Sequence, residues 1–146
     1  MTNQERLVTI IRDRAFDELE QARGELHPMA LWIDEDGRIG VVSVYAGRDF
    51  PEPDAHLIDV RAALTTQTRR QPTIVGVATA HRERTRLPGT DDPFETVCVH
   101  YESRTEGAVR VYFPYRINKK LSGPSEITAH APVSIDGTPA IFSKTR

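Results

Sequence analysis

The stretch FETVCVHYESRTEGAVRVYFPYR, residues 94–116, alternates in side-chain character along both of its halves and reads as one β-hairpin. A three-residue loop at Thr105-Glu106-Gly107, with Gly107 supplying a positive φ, pairs Arg104 with Ala108. Val97, Val99 and Tyr101 then meet Tyr115, Phe113 and Val111 on one face, while on the other Glu102 faces Arg110, His100 faces Tyr112 and Cys98 faces Pro114. A two-residue loop at Glu106-Gly107 would set Tyr101 against Tyr112 and Val99 against Pro114. Such a slip mixes the faces, which is costly wherever one of them is buried.

Upstream of the hairpin, Thr73 to His81 is small and β-branched on both faces and predicts a strand buried on at least one side, central in a sheet. The alternation continues through His81-Arg82-Glu83-Arg84-Thr85-Arg86, and Leu87-Pro88-Gly89-Thr90 suits a type II turn. At the other end of the chain, Thr2-Asn3-Gln4-Glu5 has the form of a capping box. Leu7, Ile11, Ala15, Leu19 and Ala22 then recur at helical spacing up to a stop at Gly24.

Met29 to Ile33 and Arg38 to Tyr45 flank Asp34-Glu35-Asp36-Gly37 and predict a first hairpin. Asp54 is placed to cap a second helix running to about Arg70, with Leu57, Ile58, Val60, Ala62, Ala63 and Leu64 as its apolar residues and Pro72 beyond its end. After Arg116, Ile127–Ala131 and Thr138–Phe142 flank Ile135-Asp136-Gly137 and predict a small last hairpin, kept to the sheet edge by its prolines.

The expected fold is therefore α+β: one domain over residues 1–146, an antiparallel sheet of about five strands with two helices packed on one face. The element order is α-β-β-α-β-β-β, followed by an irregular C-terminal hairpin.

With a net charge of −2 and a pI near 6.2, the chain has no general attraction to nucleic acid or to anionic lipid. Its single cysteine allows no internal disulfide, the first twenty residues are charged throughout, and no apolar run approaches the roughly 20 residues of a membrane span. The expectation is a cytoplasmic protein without membrane or nucleic-acid partners.

Four patterns bear on chemistry. His81 with Glu83 and His100 with Glu102 repeat a His-x-Glu pair whose members share a strand face. Closure of the β-turn near Arg84 and Phe94 sets His100 across from about Ala78, which separates the two histidines by roughly 10 Å along the strands, more than one zinc ion spans. No metal or cofactor is expected. Cys98 lies on the same face as His100, but a lone thiol in an apolar strand reads as a small buried residue, so no catalytic residue is assigned.

The acidic loop Asp34–Gly37 fails the EF-hand pattern, because Arg38 follows where a ligand is needed and the glycine comes too early. Arg82, Arg84 and Arg86, with Arg110 and Arg116, form either an anion- or partner-binding patch or the charged edge that discourages sheet-to-sheet pairing. The sequence has no Gly-x-Ser-x-Gly elbow, P-loop or dinucleotide fingerprint.

Gly24-Glu25-Leu26-His27-Pro28-Met29-Ala30-Leu31 leading to Asp34-Glu35-Asp36-Gly37, the Leu57-Ile58 helix, the Leu87-Pro88-Gly89 turn and the run Val97 to Phe113 ending in Pro114-Tyr115 resemble a family of small uncharacterised bacterial proteins. The resemblance covers about residues 5–116 and implies no activity. The element order is also similar to roadblock and profilin-like domains, which implies a dimerising or binding platform. The proline-broken C-terminal segment departs from the helix that a roadblock pattern would place there.

The functional expectation is a non-catalytic protein-binding or self-association module, with an inhibitor or immunity-type protein as its concrete form. The alternative is a small-molecule-binding enzyme using His100, Glu102, Arg110 and Tyr112 on the outward face of the hairpin, with Arg82 and Arg84 as further binding candidates.

Overall fold

The computed structural model describes residues 1–42 and 53–142. Helix α1 spans Asn3–Gln21, and its capping box is formed: the Thr2 hydroxyl accepts from the Glu5 amide at 3.1 Å and the Glu5 carboxylate accepts from the Thr2 amide at 3.3 Å. Leu7, Ile11, Ala15 and Leu19 are its fully buried stripe. The helix ends in a Schellman arrangement in which the Gly24 amide reaches the Leu19 carbonyl at 2.8 Å. The first left-handed residue is not the glycine but Arg23, with φ of 55°. Its guanidinium donates to the Gly123 and Lys120 carbonyls, which ties this strained turn to the far end of the chain.

Strands β1 (Met29–Asp34) and β2 (Ile39–Val42) form the first hairpin, and its expected extension to Tyr45 lies outside the described residues. The Asp34 carboxylate is buried in the turn, accepting from the Asp36 and Arg38 amides at 3.0 and 2.9 Å, so this acidic loop is a self-satisfied Asx turn. Gly40 is required by its neighbour: a Cβ there would lie 2.1 Å from the Trp32 ring. Helix α2 covers Pro53–Arg70, which places Asp54 inside the helix instead of at its cap.

Strands β3 (Ile74–Arg86), β4 (Pro93–Ser103) and β5 (Gly107–Asn118) follow, with β6 (Glu126–Ala129) and β7 (Val133–Asp136) completing a seven-stranded antiparallel sheet of order β2-β1-β3-β4-β5-β6. The α+β class and the order of the first seven elements are as the sequence indicates. The strand count exceeds five because β6 and β7 do not pair with each other as a last hairpin. Both add to the outer edge of β5, β6 at residues 115–118 and β7 at 109–112. A twelve-residue strand has room for two four-residue partners. Residues 138–142 are not a strand.

The β4–β5 hairpin keeps its predicted faces, but its register is shifted by two residues: Ser103 pairs with Gly107, His100 with Arg110, Cys98 with Tyr112 and Val97 with Phe113. Arg104 is drawn out of the expected pairing because its amide donates to the Val75 carbonyl at 2.9 Å. The loop is Arg104-Thr105-Glu106, closed by the Ser103 hydroxyl accepting from the Thr105 and Glu106 amides.

The two helices lie on opposite faces of the sheet, not on one. Leu31, Ile33, Ala78, Ala80, Val97, Val99, Tyr101 and Phe113 pack with the stripe of α1. The alternate residues Ala30 and Val77 pack with Val60 and Leu64 of α2 and with Ile141 and Phe142. The reason is already present in β1 and the first half of β3, Ile74–Ala80, which are apolar or small on both sides and leave neither side for water. Burying a leucine or isoleucine side chain contributes about 1.5–3 kcal/mol, so each helix is held chiefly by its stripe. Among the described residues no helix is long and apolar enough to cross a membrane.

Candidate functional site

On the α2 face, the apolar patch gives way across β3, β4 and β5 to a row of polar side chains. The register sets His81 beside Cys98 and Cys98 beside Tyr112, and one step along it sets Thr79 beside His100 and His100 beside Arg110. The sequence estimate had His100 across from Ala78, one residue away, which would put the two histidines on opposite faces. The actual turn closes with Arg86 opposite Pro93, so both histidines share this face.

Glu102 and His100 are not outward binding groups. Glu102 is fully buried, and its carboxylate accepts three backbone amides: Ala140 at 3.0 Å and Ile141 at 2.9 Å on one oxygen, Phe142 at 2.8 Å on the other. The neighbouring His100 donates from Nε2 to the Thr138 carbonyl at 3.1 Å. Burial lowers the His100 pKa; Glu102 opposes that shift, while Arg110 and Arg61 add to it. These two residues clasp residues 138–142 against the sheet. Phe142 is locked further by the Arg104 guanidinium, 4.6 Å above its ring.

What remains on this face is a polar group of His81, Glu83, Cys98, Arg110 and Tyr112, whose charges are felt at Arg61 of α2. Cys98 is fully buried. Its thiol is pushed up to about 12, first by burial and then by the Glu83 carboxylate, to which it also hydrogen-bonds. His81 Nε2 stands 3.4 Å from Glu83 Oε2, while its Nδ1 is buried without a partner among the described residues. Burial holds the His81 imidazole below its ordinary pKa; Glu83 pulls it up, and Arg61 and Arg110 add to the lowering.

The Tyr112 hydroxyl raises the Arg110 pKa, against the lowering by burial, and the Arg110 Nε is buried and unpartnered among the described residues. Burial, followed by repulsion from Arg110, depresses the pKa of Arg61. Among the described residues neither arginine has a carboxylate within 4.0 Å. Glu83 is the counter-charge that both feel.

No family model, curated protein or solved structure matches the chain.

The site therefore rests on geometry. Of the residues singled out from the sequence, His100, Glu102, Arg110 and Tyr112 do share one face, and His81, Glu83 and Cys98 join them. Arg82 and Arg84 do not, since they alternate onto the α1 face. There Arg82 donates to the Gly24 carbonyl at 2.7 Å and Arg84 pairs with Glu95 at 3.2 Å, both with structural partners. Arg61 was missed. Its signal was slight: a lone cation among the apolar residues Leu57, Val60 and Leu64, on a helix whose packing side the sequence did not fix.

Proposed function

We propose that the chain binds a small oxyanion, a phosphate or carboxylate, on the α2 face of strands β3–β5, with Arg61 and Arg110 as its cations. One observation carries this reading. Arg110 of β5 lies on the sheet face that α2 covers, its charge is felt at Arg61 of α2, and neither arginine has a carboxylate in ion-pair distance among the described residues. Two like charges in a partly desolvated place are stabilised by an anion between them. Tyr112 and His81 offer neutral hydrogen-bonding groups beside them.

This narrows the small-molecule alternative to named groups, with Arg110 and Tyr112 kept, His100 and Glu102 reassigned to holding the fold, and Arg61 added. The protein-binding or self-association reading rested on an uncovered sheet face, and α2 with residues 138–142 lies across much of the face in question. Light scattering across a concentration series tests that reading separately.

The anion reading is tested by thermal denaturation with inorganic phosphate and, in parallel, with a dicarboxylate. Ligand at 100 times Kd contributes about 2.7 kcal/mol of stability, a clear upward shift of Tm. Arg61→Gln and Arg110→Gln are each expected to abolish the shift, with Arg116→Gln, an exposed residue, retaining it. Equal responses in all three variants, or none in the parent protein, would overturn the proposal.

A further inference from the structure

The geometry points to a zinc-type divalent metal site formed by His81, Glu83 and Cys98, with a fourth coordination position left for water or a ligand. It stands on a different observation from the anion reading and does not depend on it. One nitrogen, one carboxylate oxygen and one sulfur, each from a different side chain, lie within 4.8 Å of one another. They come from positions that fold rules hold in place. His81 and Glu83 are two apart on β3 and so project from the same face, and Cys98 is the direct cross-strand neighbour of His81.

The 3.4 Å between His81 Nε2 and Glu83 Oε2 matches the edge of a tetrahedron around an ion with bonds of about 2.0–2.1 Å, which is about 3.3–3.4 Å long. The remaining separations, each within 4.8 Å, must shorten by side-chain rotation for all three groups to reach one ion. The mixed sulfur, nitrogen and oxygen set suits a borderline-soft ion instead of calcium or magnesium. Three protein ligands with an open fourth position are the arrangement of catalytic zinc sites, not of closed structural ones.

Charge agrees with this. On binding, Cys98 loses its thiol proton to solvent and becomes the thiolate ligand, His81 binds as neutral imidazole, and Glu83 is already a carboxylate. The two anionic ligands balance a divalent cation. The expected absence of a metal rested on the distance between the two His-x-Glu pairs. The ligand set here takes only one of them and completes it with the cysteine.

The test is titration of the full chain, stripped with chelator and kept reduced, with Co²⁺ followed by displacement with Zn²⁺. One Co²⁺ per chain is expected, with intense tetrahedral visible bands, near-ultraviolet thiolate-to-cobalt absorption and release of about one proton per ion bound. Cys98→Ser removes the thiolate absorption. His81→Gln weakens binding at least 10-fold, and it alone carries the test if the buried cysteine variant fails to fold. His130→Gln, an exposed histidine outside the ligand set, leaves binding unchanged. Arg61→Gln and Arg110→Gln also still bind Co²⁺, which keeps a failure of the anion reading separate from a failure of this one. Absence of stoichiometric binding by the folded parent chain, or binding unchanged by His81→Gln, would overturn the site.

Discussion

The two faces of the sheet are made from alternate residues of the same strands, and they are held in different ways. Beneath α1 the interior is almost wholly aliphatic and aromatic: Leu7, Ile11 and Leu19 against Ile33, Val97, Val99, Val111 and Phe113. Beneath α2 an apolar patch around Val60, Leu64 and Val77 adjoins buried Glu102, His100 and Cys98. Buried apolar area is the main stabiliser of the first face. The second keeps polar groups out of water, so each must find a partner or leave a cost. Glu102 and His100 have found theirs in residues 138–142. Arg110 and His81 retain buried nitrogens without one among the described residues, and that difference separates the fold-holding part of this face from the part available to a ligand.

The sharpest way to break the comparison is Glu102→Ala. Hydrogen bonds to a charged acceptor contribute roughly 1.5–3 kcal/mol each, and three are lost, so after water recovers part of them a destabilisation of about 4 kcal/mol is expected in urea unfolding. Hydrogen exchange should show the amides of residues 140–142 losing protection, and Cys98 should become faster to label with a thiol reagent. If labelling and protection stay as in the parent chain, the clasp is not what covers this face.

Ile11→Ala makes the matching cut on the other side. A fully buried isoleucine reduced to alanine costs about 2–5 kcal/mol. Here the measured loss should come with unchanged exchange at residues 140–142, because no polar partner on the α2 face depends on it. A smaller effect is expected from Thr2→Ala, which removes one side of the capping box for about 1 kcal/mol in thermal unfolding, again without change at the clasp.

How much of this was legible depended on whether a neighbour along the chain or across it fixed the outcome. The α1 cap and stripe are local patterns and were read correctly from Thr2, Glu5, Leu7, Ile11, Ala15 and Leu19. The faces of the central hairpin were also legible, since alternation defines them. Its register was not: a shift of two residues leaves every side chain on the same face, so no hydrophobic pattern reports it. The Ser103 hydroxyl and the Arg104 amide decide it instead.

The pairing of His81 with Cys98 was hidden by a different error, a one-residue displacement of the turn, which closes with Arg86 opposite Pro93. The double-sided burial of β3 was visible in its small residues, yet which helix took which side was not, because nothing in the α2 sequence names its partner face. The course of residues 138–142 has no periodicity to read. Side chains distant in sequence fix it, the Glu102 carboxylate foremost, with His100 and Arg104 beside it.

That carboxylate has a consequence for the order of events in folding. Strands β3, β4 and β5 are neighbours in sequence as well as in the sheet, each pair closed by a short connection, whereas the Glu102 clasp joins residues 38 to 40 apart. Loop-closure entropy favours the hairpins first. The clasp then assembles on a sheet already formed, and its contribution falls mainly on how slowly the protein unfolds and only weakly on how fast it folds.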